Sequence, residues 1–558
     1  MAGVSLNSRL RALGAKGQLE PDLLDRALAR LRRPLDREFE RRATRIDDLA
    51  ALGRSVEDEL QRRGAGSAPE PRVLVGSLRG WSSHNAYELV IAHALRLRGA
   101  EVALLTCGGG MPACELGRAR RAYPRPCDRC SWLTDGVAAT APLTTFRLRD
   151  DLPWGGDARA APPSLGAAEA DDAAETARIS TAWLLKATQT ERVPGAAAVG
   201  RDFAIAVAGV QQAADRIIAE FRPDIVFLLN GLFAAERAIR DRALAAGLRA
   251  PTYEIAPRAG AIVLSQESPA PDYDVDELWN SVAERALTDT QRAEILALLN
   301  DRAEGVGAHE SYYDRAEGDH GELRRRLGLP AAGRVVSLFT NVTWDSATIG
   351  HDIGFGSMFD WVESAVRLAA GRELTLVVRI HPAESRWGTR EEVHEVISAR
   401  IGEIPANVRF VPSTEPLSSY ALMDLSDLLL TYTTTVGLEG ATRGRAVAVA
   451  GDTHYRGRGF TLDIDGPAAL ERTLGVEAGP LDTARVERAL RYAHMFFFRA
   501  MIPLPLLEAA DGWVRRMPRD AAELVPGADP HLDWICDRIL DGGHFGLPDA
   551  LAGIAPAG

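Results

Sequence analysis

Short, mostly apolar runs recur along this chain between longer segments that have helical periodicity. Four such runs occupy residues 72–77, 223–229, 334–339 and 428–430. Strands that are apolar on both faces are typical of parallel sheets, because helices cover both sides of such a sheet. The alternation of these runs with helical segments therefore predicts an α/β fold built on parallel sheets.

The first α/β segment follows a short stretch of small residues and proline. A predicted strand at 72–77 leads into a helix, for which Asn85 suits the N-cap and Glu88 the N3 position. A second strand at 101–106 completes a βαβ unit, and further strand and helix patterns follow it. We predict a Rossmann-like N-terminal lobe over residues 67–275, with the cysteine-containing insert described below.

A second series of strands and helices predicts another Rossmann-like lobe over residues 329–482. The regions around the lobes are predicted to be helical: 1–66 at the N-terminus, 276–328 as a connector and 483–558 at the C-terminus. Residues 135–200, rich in small residues and proline, are predicted as loop with weak helix. Two facing, doubly wound lobes would place the carboxyl ends of both sheets on one cleft, where such sheets bind ligands.

Composition excludes several classes of protein. The chain has 65 basic and 77 acidic residues, a formal net charge of -12, whereas a nucleic-acid-binding protein usually has a basic balance. Its two lysines, Lys16 and Lys186, lie outside any glycine-rich phosphate loop, which argues against a P-loop NTPase. No apolar run is long enough for a transmembrane helix, and no signal peptide is visible, so we expect a cytoplasmic protein.

The sequence Arg379-Ile380-His381-Pro382 lies at the end of a predicted buried strand, residues 373–380. Pro382 disfavours a helical conformation at His381, which places the imidazole at the carboxyl end of the strand. There it can donate to a phosphate oxygen or a ribose hydroxyl of a nucleotide, and Arg379 adds positive charge if it faces the cleft. The alternative is an ordinary histidine in a surface turn.

A threonine-rich turn between a predicted strand and a helix is the second candidate for donor binding. Successive hydroxyls and backbone N–H groups at a helix N-terminus favour an anion. A glycine allows close backbone approach, and a glutamate one turn later can accept from ribose hydroxyls. The alternative is simple helix capping. The residues assigned to this site are Thr433, Thr434, Thr435, Val436, Gly437 and Glu439.

The first lobe offers a candidate catalytic base, His84, in the loop and helix start that follow the strand at 72–77. A helix N-terminus lowers the pKa of an imidazole and keeps it neutral, as a base requires. The alternative is that His84 and its neighbours only cap the helix. A glycine- and arginine-rich loop at 451–461 suits nucleotide or acceptor contacts, and an ordinary surface loop is equally compatible with it.

Four further residues follow predicted strands and are candidates for lining the cleft: Asn230, Asn341, Trp344 and Asp345. Asn230 ends a strand of the first lobe, and the other three follow the first strand of the second lobe. For each of them the alternative is packing or turn formation.

Four of the five cysteines lie close together in the sequence. Cys107, Cys114, Cys127 and Cys130 are separated by six, twelve and two residues. A Cys-x-x-Cys pair with two further thiols fits a structural zinc ion or an iron–sulfur cluster. The alternatives are small buried hydrophobic residues or unbound thiols.

These motifs together resemble those of capsular polysaccharide biosynthesis glycosyltransferases, which have the two-lobed GT-B architecture. The resemblance is strongest over about residues 330–505 and weaker over 70–260. The His-Pro pair and the threonine-rich turn also resemble those of GT-B sialyltransferases and capsule Kdo transferases, which bind the nucleotide and phosphate of a CMP-sugar there. The matching segments are 340–345, 379–384, 436–439, 459–461 and 496–499.

The resemblance implies roles for individual residues. His381, Thr434 and Thr435 would contact the phosphate or nucleotide of the donor, and Glu439 matches the ribose-binding acid of many GT-B enzymes. GT-B enzymes generally need no divalent metal, so no cofactor is expected for catalysis. The chain departs from the pattern in two ways: the first lobe has no Asp/Glu-Asp-Gly base motif, and the hydroxyls of the turn are threonines rather than serines.

The expected function is transfer of a sugar from a nucleotide-sugar to a bacterial surface or capsular glycan or a glycolipid. Peripheral association with the inner membrane or the capsule machinery belongs to the same expectation. Two alternatives stay open: a UDP-sugar 2-epimerase-like enzyme, and a non-catalytic subunit that binds sugar-nucleotides or glycans in an export assembly.

Overall fold

A computed structural model of the chain describes residues 37–64, 70–119, 126–306, 320–477, 479–510 and 512–553. The first 36 residues of the predicted N-terminal helical region lie outside the described residues, as do residues 307–319 of the predicted connector. Residues 37–43 and 46–63 are helical, as predicted for that region.

The strands alternate with helices along the chain as expected. In chain order they are β1 (Arg72–Gly76), β2 (Glu101–Thr106), β3 (Ala113–Cys114), β4 (Gly117–Arg118), β5 (Thr144–Arg147), β6 (Ile225–Leu229), β7 (Thr252–Ile255), β8 (Ala261–Ser265), β9 (Arg334–Phe339), β10 (Leu374–Arg379), β11 (Val408–Val411), β12 (Leu428–Thr431), β13 (Ala446–Val449), β14 (Leu462–Asp463), β15 (Ile502–Pro503), β16 (Glu508–Ala510) and β17 (Trp513–Arg516).

The α-helices cover these strands. They are α1 (Ile46–Arg63), α2 (Ser82–Leu97), α3 (Pro126–Ala138), α4 (Leu148–Asp151), α5 (Ala167–Thr176), α6 (Arg178–Leu185), α7 (Ala196–Phe221), α8 (Ala234–Ala245), α9 (Asp276–Val282), α10 (Asp289–Ala303), α11 (His320–Arg326), α12 (Met358–Ala369), α13 (Ala383–Arg386), α14 (Val393–Ile401), α15 (Ser419–Leu425), α16 (Val436–Thr442), α17 (Pro467–Gly475), α18 (Thr483–Met495), α19 (Pro530–Asp541) and α20 (Asp549–Ala552).

The first lobe, called the N-lobe below, is built on a seven-stranded sheet with the order β15-β8-β7-β6-β1-β2-β5. The five strands from β7 to β5 run parallel, while β8 pairs antiparallel with both β7 and β15. Alternate residues of β1 face opposite cores: Val73 and Val75 pack on one side of the sheet and Leu74 on the other. Burial on both faces explains the apolar composition of these strands.

The second lobe, called the C-lobe below, is built on a six-stranded parallel sheet with the order β11-β10-β9-β12-β13-β14. It has the doubly wound order in which the first and fourth strands are neighbours, and the five parallel strands of the N-lobe repeat it. Connections leave the sheet in opposite directions at that point, so a crevice opens beyond the carboxyl ends of the two strands. These switch points lie between β1 and β6 in the N-lobe and between β9 and β12 in the C-lobe.

Two predictions about secondary structure are wrong. The region 135–200 contains a parallel strand, β5, at the sheet edge, and α2 begins at Ser82 rather than after Asn85. A third correction concerns residues 483–558, which are not all helical. After α18 the chain returns to the N-lobe, where β15 extends the sheet and Arg98 forms an ion pair with Asp533 of α19.

Candidate functional site

A cavity of about 860 Å³ lies between the two lobes. The N-lobe contributes Asp272 and Tyr273 to its lining, and the C-lobe contributes Asn341 and the turn Thr433–Thr435. The latter residues follow β9 and β12, so the cavity opens onto the C-lobe switch point. This is the position at which sheets of this order bind ligands, and it defines the candidate site.

The threonine turn is held by bonds to its backbone. Thr433 N–H donates to Asn341 Oδ1 at 3.2 Å, and the Tyr455 hydroxyl donates to the carbonyl oxygen of Thr434 at 2.7 Å. Thr433 Oγ1 is buried and has no hydrogen-bond partner among the described residues. The turn therefore presents hydroxyl groups on a fixed backbone.

Glycine is required beside this turn because of close packing. A Cβ on Gly437 would lie 2.3 Å from Tyr455 Oη and 2.9 Å from Thr431 Oγ1. Tyr455 is fully buried and cannot move aside. Gly437 thus lets Tyr455 reach the turn, while the neighbouring Val436 begins α16 and is half-buried. Neither residue lines the cavity itself.

The loop at 451–461 places a histidine in the cavity wall. His454 stacks on Phe496 with ring centroids 3.9 Å apart, and its Nδ1 lies 3.0 Å from Tyr492 Oη. The Tyr492 hydroxyl donates to the carbonyl oxygen of His454 at 2.6 Å. Burial lowers the pKa of His454 to about 3, so the ring is neutral. Its Nε2 is buried without a hydrogen-bond partner among the described residues.

The His-Pro corner lies beside the threonine turn but does not line the cavity. Backbone N–H of His381 donates to Thr340 Oγ1 at 3.0 Å, in the same loop whose Asn341 holds the turn. His381 Nδ1 accepts from the N–H of Ala383 at 3.1 Å, and Pro382 leads into the short helix α13. Burial lowers the pKa of His381 to about 4. The two motifs thus converge on the loop that follows β9.

Two predicted donor-binding residues are engaged inside the C-lobe instead. The buried Arg379 guanidinium donates to backbone carbonyl oxygens of the loop 412–417, at 2.6 Å from Pro412 O, and it fixes that loop rather than facing the cleft. Glu439 is also buried, and Arg302 of the connector helix α10 donates to its Oε1 at 2.9 Å. The Tyr420 hydroxyl donates to the other carboxylate oxygen. The structure therefore does not bring Arg379 or Glu439 to the cavity.

Charged residues from both lobes face each other across the cavity. Asp272 of the N-lobe lies opposite His351 and Asp452 of the C-lobe, and desolvation by the surrounding walls raises the pKa of Asp272, opposed by His351. Arg458 of the C-lobe forms an ion pair with Asp276 at the start of α9. Asp272 is not predicted from the sequence because the strand β8 is not predicted. A strand at 261–265 would have made the polar residues that follow it, including Asp272, candidates for lining the cleft.

Away from this cavity, the lobes meet through tryptophans. Trp344, one of the predicted cleft residues, is buried, and its ring centroid lies 6.2 Å from that of Trp183 of the N-lobe. Lys186 Nζ lies between these rings, 3.6 Å from Trp183 and 3.7 Å from Trp344. Burial lowers the pKa of Lys186 to about 8, and the nearby Asp345 opposes the shift. Trp344 and Asp345 thus belong to a lobe contact.

His84, the predicted base, lies at the start of α2 and is also outside the lining of the open cavity. Its Nδ1 is 3.3 Å from Tyr253 Oη, and the Tyr253 hydroxyl donates to Glu88 Oε1 at 2.9 Å. Because the Tyr253 hydroxyl proton is directed at Glu88, the Tyr253 oxygen accepts from Nδ1–H of His84, and Nε2 of His84 carries the lone pair. Burial raises the pKa of Glu88 to about 7. The arrangement can orient an imidazole as a base.

Asn230 acts within the N-lobe. It has a φ of 26°, and its Oδ1 accepts from the N–H groups of Leu232 and Phe233 at 2.8 and 3.2 Å, just before α8. It also bonds to Glu254 at the end of β7, whose pKa burial raises to about 7. Turn formation therefore accounts for Asn230, whereas Asn341 does line the cavity.

The N-lobe switch point is filled by a buried ion-pair network. Arg79, after β1, donates through Nε to Glu115 at 2.9 Å and through one terminal nitrogen to Glu236 of α8 at 2.7 Å. All three side chains are buried, and the Ser180 hydroxyl donates to Glu115 as well. These bonds join the loops after β1 and β6 across the crevice. A ligand at this point would have to displace the network.

The four predicted cysteines come together in one small pocket of the N-lobe, lined by Cys107, Cys114, Cys127 and Cys130. In the part of the chain that the structure describes, however, no group of three or more His, Cys, Asp or Glu side chains is arranged to hold a metal ion. The structure therefore brings the thiols together without forming a site for a single zinc ion.

The two lobes define the class of fold: two facing Rossmann-like domains in a GT-B-like arrangement, with a cleft between the carboxyl ends of their sheets. Among the described residues, no helix has the length and hydrophobicity needed to cross a bilayer.

No protein-family model matches the sequence, and no curated protein does so either. Solved structures with a likeness in fold include KpsC, a beta Kdo 2,4 transferase of Thermosulfurimonas dismutans, with 16% identity and a TM-score of 0.32 over 48% of this chain and 78% of that one. The UDP-GlcNAc 2-epimerase of Neisseria meningitidis has 10% identity and a TM-score of 0.26 over 75% and 97%. The calicheamicin glycosyltransferase CalG4 has 14% identity and a TM-score of 0.26 over 77% and 95%.

Proposed function

We propose that the protein is a glycosyltransferase that takes a sugar from a nucleotide-sugar, with CMP-sugars favoured over UDP- and GDP-sugars. The acceptor is a bacterial surface or capsular glycan or a glycolipid. The observation that carries the proposal is the position of the threonine turn: Thr433–Thr435 and Asn341 meet at the C-lobe switch point and line the cavity between the lobes. Its volume of about 860 Å³ suits a ligand of nucleotide-sugar size.

The chemistry of the cavity wall supports binding of the phosphate end of the donor at this turn. Thr433 Oγ1 and His454 Nε2 belong to lining residues and have no partner among the described residues. The threonine hydroxyl can donate to a phosphate oxygen, whereas Nε2 of the neutral His454 ring can only accept, from a hydroxyl of the donor. Buried polar atoms nearly always have a partner in native proteins, so a ligand that completes their hydrogen bonds is expected. Four arginines and five acidic residues line the same cavity: Arg178, Arg237, Arg456 and Arg458, and Glu267, Asp272, Asp274, Asp276 and Asp452.

The transferred sugar would lie between the turn and the N-lobe wall, where the acceptor hydroxyl has to lose a proton. His84, oriented by Tyr253 and Glu88, is the base of this proposal. Asp272 lines the cavity itself and is the competing candidate. The leaving phosphate is stabilised by hydroxyls, amides and guanidinium groups, so transfer proceeds without a divalent metal and persists in EDTA.

A nucleotide-binding experiment tests the donor site. Melting temperatures are measured with CMP, UDP, GDP and dTDP, and again for Thr433→Val, which keeps the shape of the side chain and removes its hydroxyl. Because that hydroxyl has no partner, the unliganded variant should melt no lower than the wild type, while the shift caused by the nucleotide should shrink. Thr473→Val is the control, because it removes a threonine hydroxyl that donates to Ala469 O within α17 and does not line the cavity. Its nucleotide shift should equal that of the wild type. An equal nucleotide shift in Thr433→Val and wild type would reject this placement of the donor.

Transfer assays separate the proposal from its alternatives. Incubation of the enzyme with a nucleotide-sugar alone should leave the sugar unchanged, and product should form only when a glycan acceptor is added. An altered sugar without acceptor would instead indicate the UDP-sugar 2-epimerase-like enzyme. Nucleotide binding without turnover in a panel of donors and acceptors would indicate a non-catalytic binding subunit.

Two variants identify the base. His84→Ala should abolish transfer while nucleotide binding is retained, because His84 lies on the N-lobe side, away from the threonine turn. Asp272→Asn is the matched variant in the cavity wall. If Asp272→Asn abolishes transfer and His84→Ala does not, the base is Asp272.

A further inference from the structure

The cysteine pocket is a separate feature of the N-lobe, and its occupant does not depend on the proposed transferase activity. Four chain segments enclose it: the loop after β1, the segment from the end of β2 to the β3–β4 hairpin, the start of α3, and Ala235 of α8. Besides the four cysteines, its lining is mostly apolar, with Leu78, Met111, Leu116 and Pro126. The fifth cysteine, Cys536, is buried in a different core, against α2 and β1. All cysteines outside that core therefore meet in this one pocket.

Backbone amides are aimed at three of the four sulfurs. Gly80 N–H donates to Cys130 Sγ at 3.1 Å. Cys107 accepts from the N–H of Gly109, and Cys114 accepts from the N–H of Leu116. A neutral thiol is a weak acceptor, whereas a thiolate accepts such bonds strongly. These amides come from the loop after β1 and from the segment after β2, and they would stabilise thiolates bound to a positively charged group.

The loop after β2 is shaped to lie against the pocket. Gly108, Gly109 and Gly110 all have positive φ, at 66°, 88° and 95°, which only glycine adopts without strain. A Cβ on Gly109 would lie 3.4 Å from Cys127 Cβ and 3.7 Å from its Sγ. Gly109 thus lies against Cys127 and directs its amide at Cys107, while Gly108 and Gly110 face Arg149 and Gly156.

The protein supplies no spare positive charge for buried thiolates. Arg79 lines the pocket, but Glu115 and Glu236 already pair with it. Several uncompensated thiolates in an apolar pocket would cost many kcal/mol, so these thiols ionise only where a bound metal centre balances their charge. A single ion does not fit, because no three metal-ligating side chains in the described residues are arranged around one point.

We propose that Cys107, Cys114, Cys127 and Cys130 bind an iron–sulfur cluster. In such a cluster the four thiolates are shared among two or four irons, so the sulfurs need not converge on one ion. When a preformed cluster binds, each thiol proton goes to solvent as a sulfur–iron bond forms, and no change of oxidation state is required. The bound cluster joins the loops after β1 and β2 to α3 and so fixes Gly80 next to Trp81 at the cleft edge of the N-lobe.

The test uses full-length protein purified without oxygen, analysed for iron, acid-labile sulfide and zinc, and by visible absorption and electron paramagnetic resonance. Protein that lacks a cluster is reconstituted with ferric and ferrous iron and sodium sulfide, because both cluster types contain ferric iron. We expect two or four irons with equal sulfide per chain, and sulfur-to-iron charge-transfer absorption. The number of irons, and the resonance spectrum after one-electron reduction with dithionite, distinguish the two cluster types.

Cysteine variants show whether these residues are the ligands. Cys127→Ser and Cys130→Ala should lose most of the iron and the absorption after the same reconstitution, whereas Cys536→Ala should retain both. Circular dichroism establishes that each variant is folded. Stoichiometric zinc, a disulfide between these cysteines in anaerobic protein, an absence of iron after reconstitution, or equal iron in all variants would each overturn the proposal.

Discussion

The two switch points of this molecule have the same strand order but opposite character. In the C-lobe, the crevice between β9 and β12 opens into the cavity and presents threonine hydroxyls and an asparagine. In the N-lobe, the crevice between β1 and β6 is crossed by Arg79 with its two buried glutamates. Strand order thus determines where a crevice forms, and side chains determine whether it can accept a ligand.

The titratable groups are divided in a similar way. The N-lobe edge contains Glu88 and Glu254, whose pKa values burial raises to about 7, whereas the histidines of the C-lobe edge, His381 and His454, are kept neutral by burial. We therefore expect substitutions in the N-lobe to change stability and its pH dependence, and substitutions in the C-lobe to change nucleotide binding.

The largest effect is expected from opening the N-lobe switch point. Arg79→Met leaves Glu115 and Glu236 buried without their partner, and such a loss costs about 3–5 kcal/mol of stability. Urea unfolding measures it, and the nucleotide-induced melting shift of the folded fraction should persist. Arg159→Met is the control, because its pair with Asp157 is exposed and should contribute nothing measurable. A fully stable Arg79→Met variant would show that the network does not close the crevice.

The second effect is the pH dependence of N-lobe stability. Burial raises the pKa of Glu88 from about 4.5 to about 7, so between these pH values the folded state holds a proton that the unfolded chain has lost. The contribution of this proton to the free energy of unfolding is complete below a pH of about 4.5 and falls by about 3 kcal/mol as the pH rises to about 7. Glu88→Gln cannot ionise, so its stability relative to wild type should increase from pH 5 to pH 8 in urea unfolding. Parallel curves for the two proteins would contradict this.

The third effect concerns the turn in the C-lobe. Gly437→Ala places a methyl group against Tyr455, which holds the carbonyl oxygen of Thr434. Overpacking of this kind costs about 1–3 kcal/mol, and a displaced turn should weaken nucleotide binding by roughly 5- to 150-fold. Titration calorimetry with the nucleotide that raises the melting temperature measures it. Gly479→Ala, which has open space around it, should bind like the wild type. Unchanged nucleotide affinity in Gly437→Ala would show that the threonine turn does not form the donor site.

The smallest effect is expected at two asparagines, each of which follows a strand at the switch point of its own lobe. Asn341→Ala removes the acceptor for Thr433 N–H in the cavity wall and should weaken nucleotide binding by about 1 kcal/mol, or fivefold, with little change in melting temperature. Asn230→Ala removes the acceptor for two N–H groups ahead of α8 and should lower stability by about 1 kcal/mol without a change in affinity. If Asn341→Ala lowered stability and Asn230→Ala weakened nucleotide binding, the nucleotide would bind at the N-lobe switch point instead.

Local features were predictable where the local sequence decides them. The strands at 101–106 and 334–339 have the predicted bounds because an apolar run between polar residues can satisfy both its hydrogen bonds and its burial only within a covered sheet. The threonine turn was recognisable because it follows such a run. By contrast, Lys186 was noted only for its rarity, and its place between two tryptophans depends on residues far away in the chain.

The sequence by itself determined the α/β class, the two lobes and the turn that follows β12, because apolar periodicity and turn chemistry act over a few neighbouring residues. Only the tertiary structure decided that Arg379 and Glu439 bond inside the C-lobe, that Arg79 closes the other crevice, and that residues after α18 return to the N-lobe. The physical reason is that the partner of a buried charge, or of an unpaired strand edge, comes from whichever segment folds against it. Nothing in the neighbouring sequence specifies that segment.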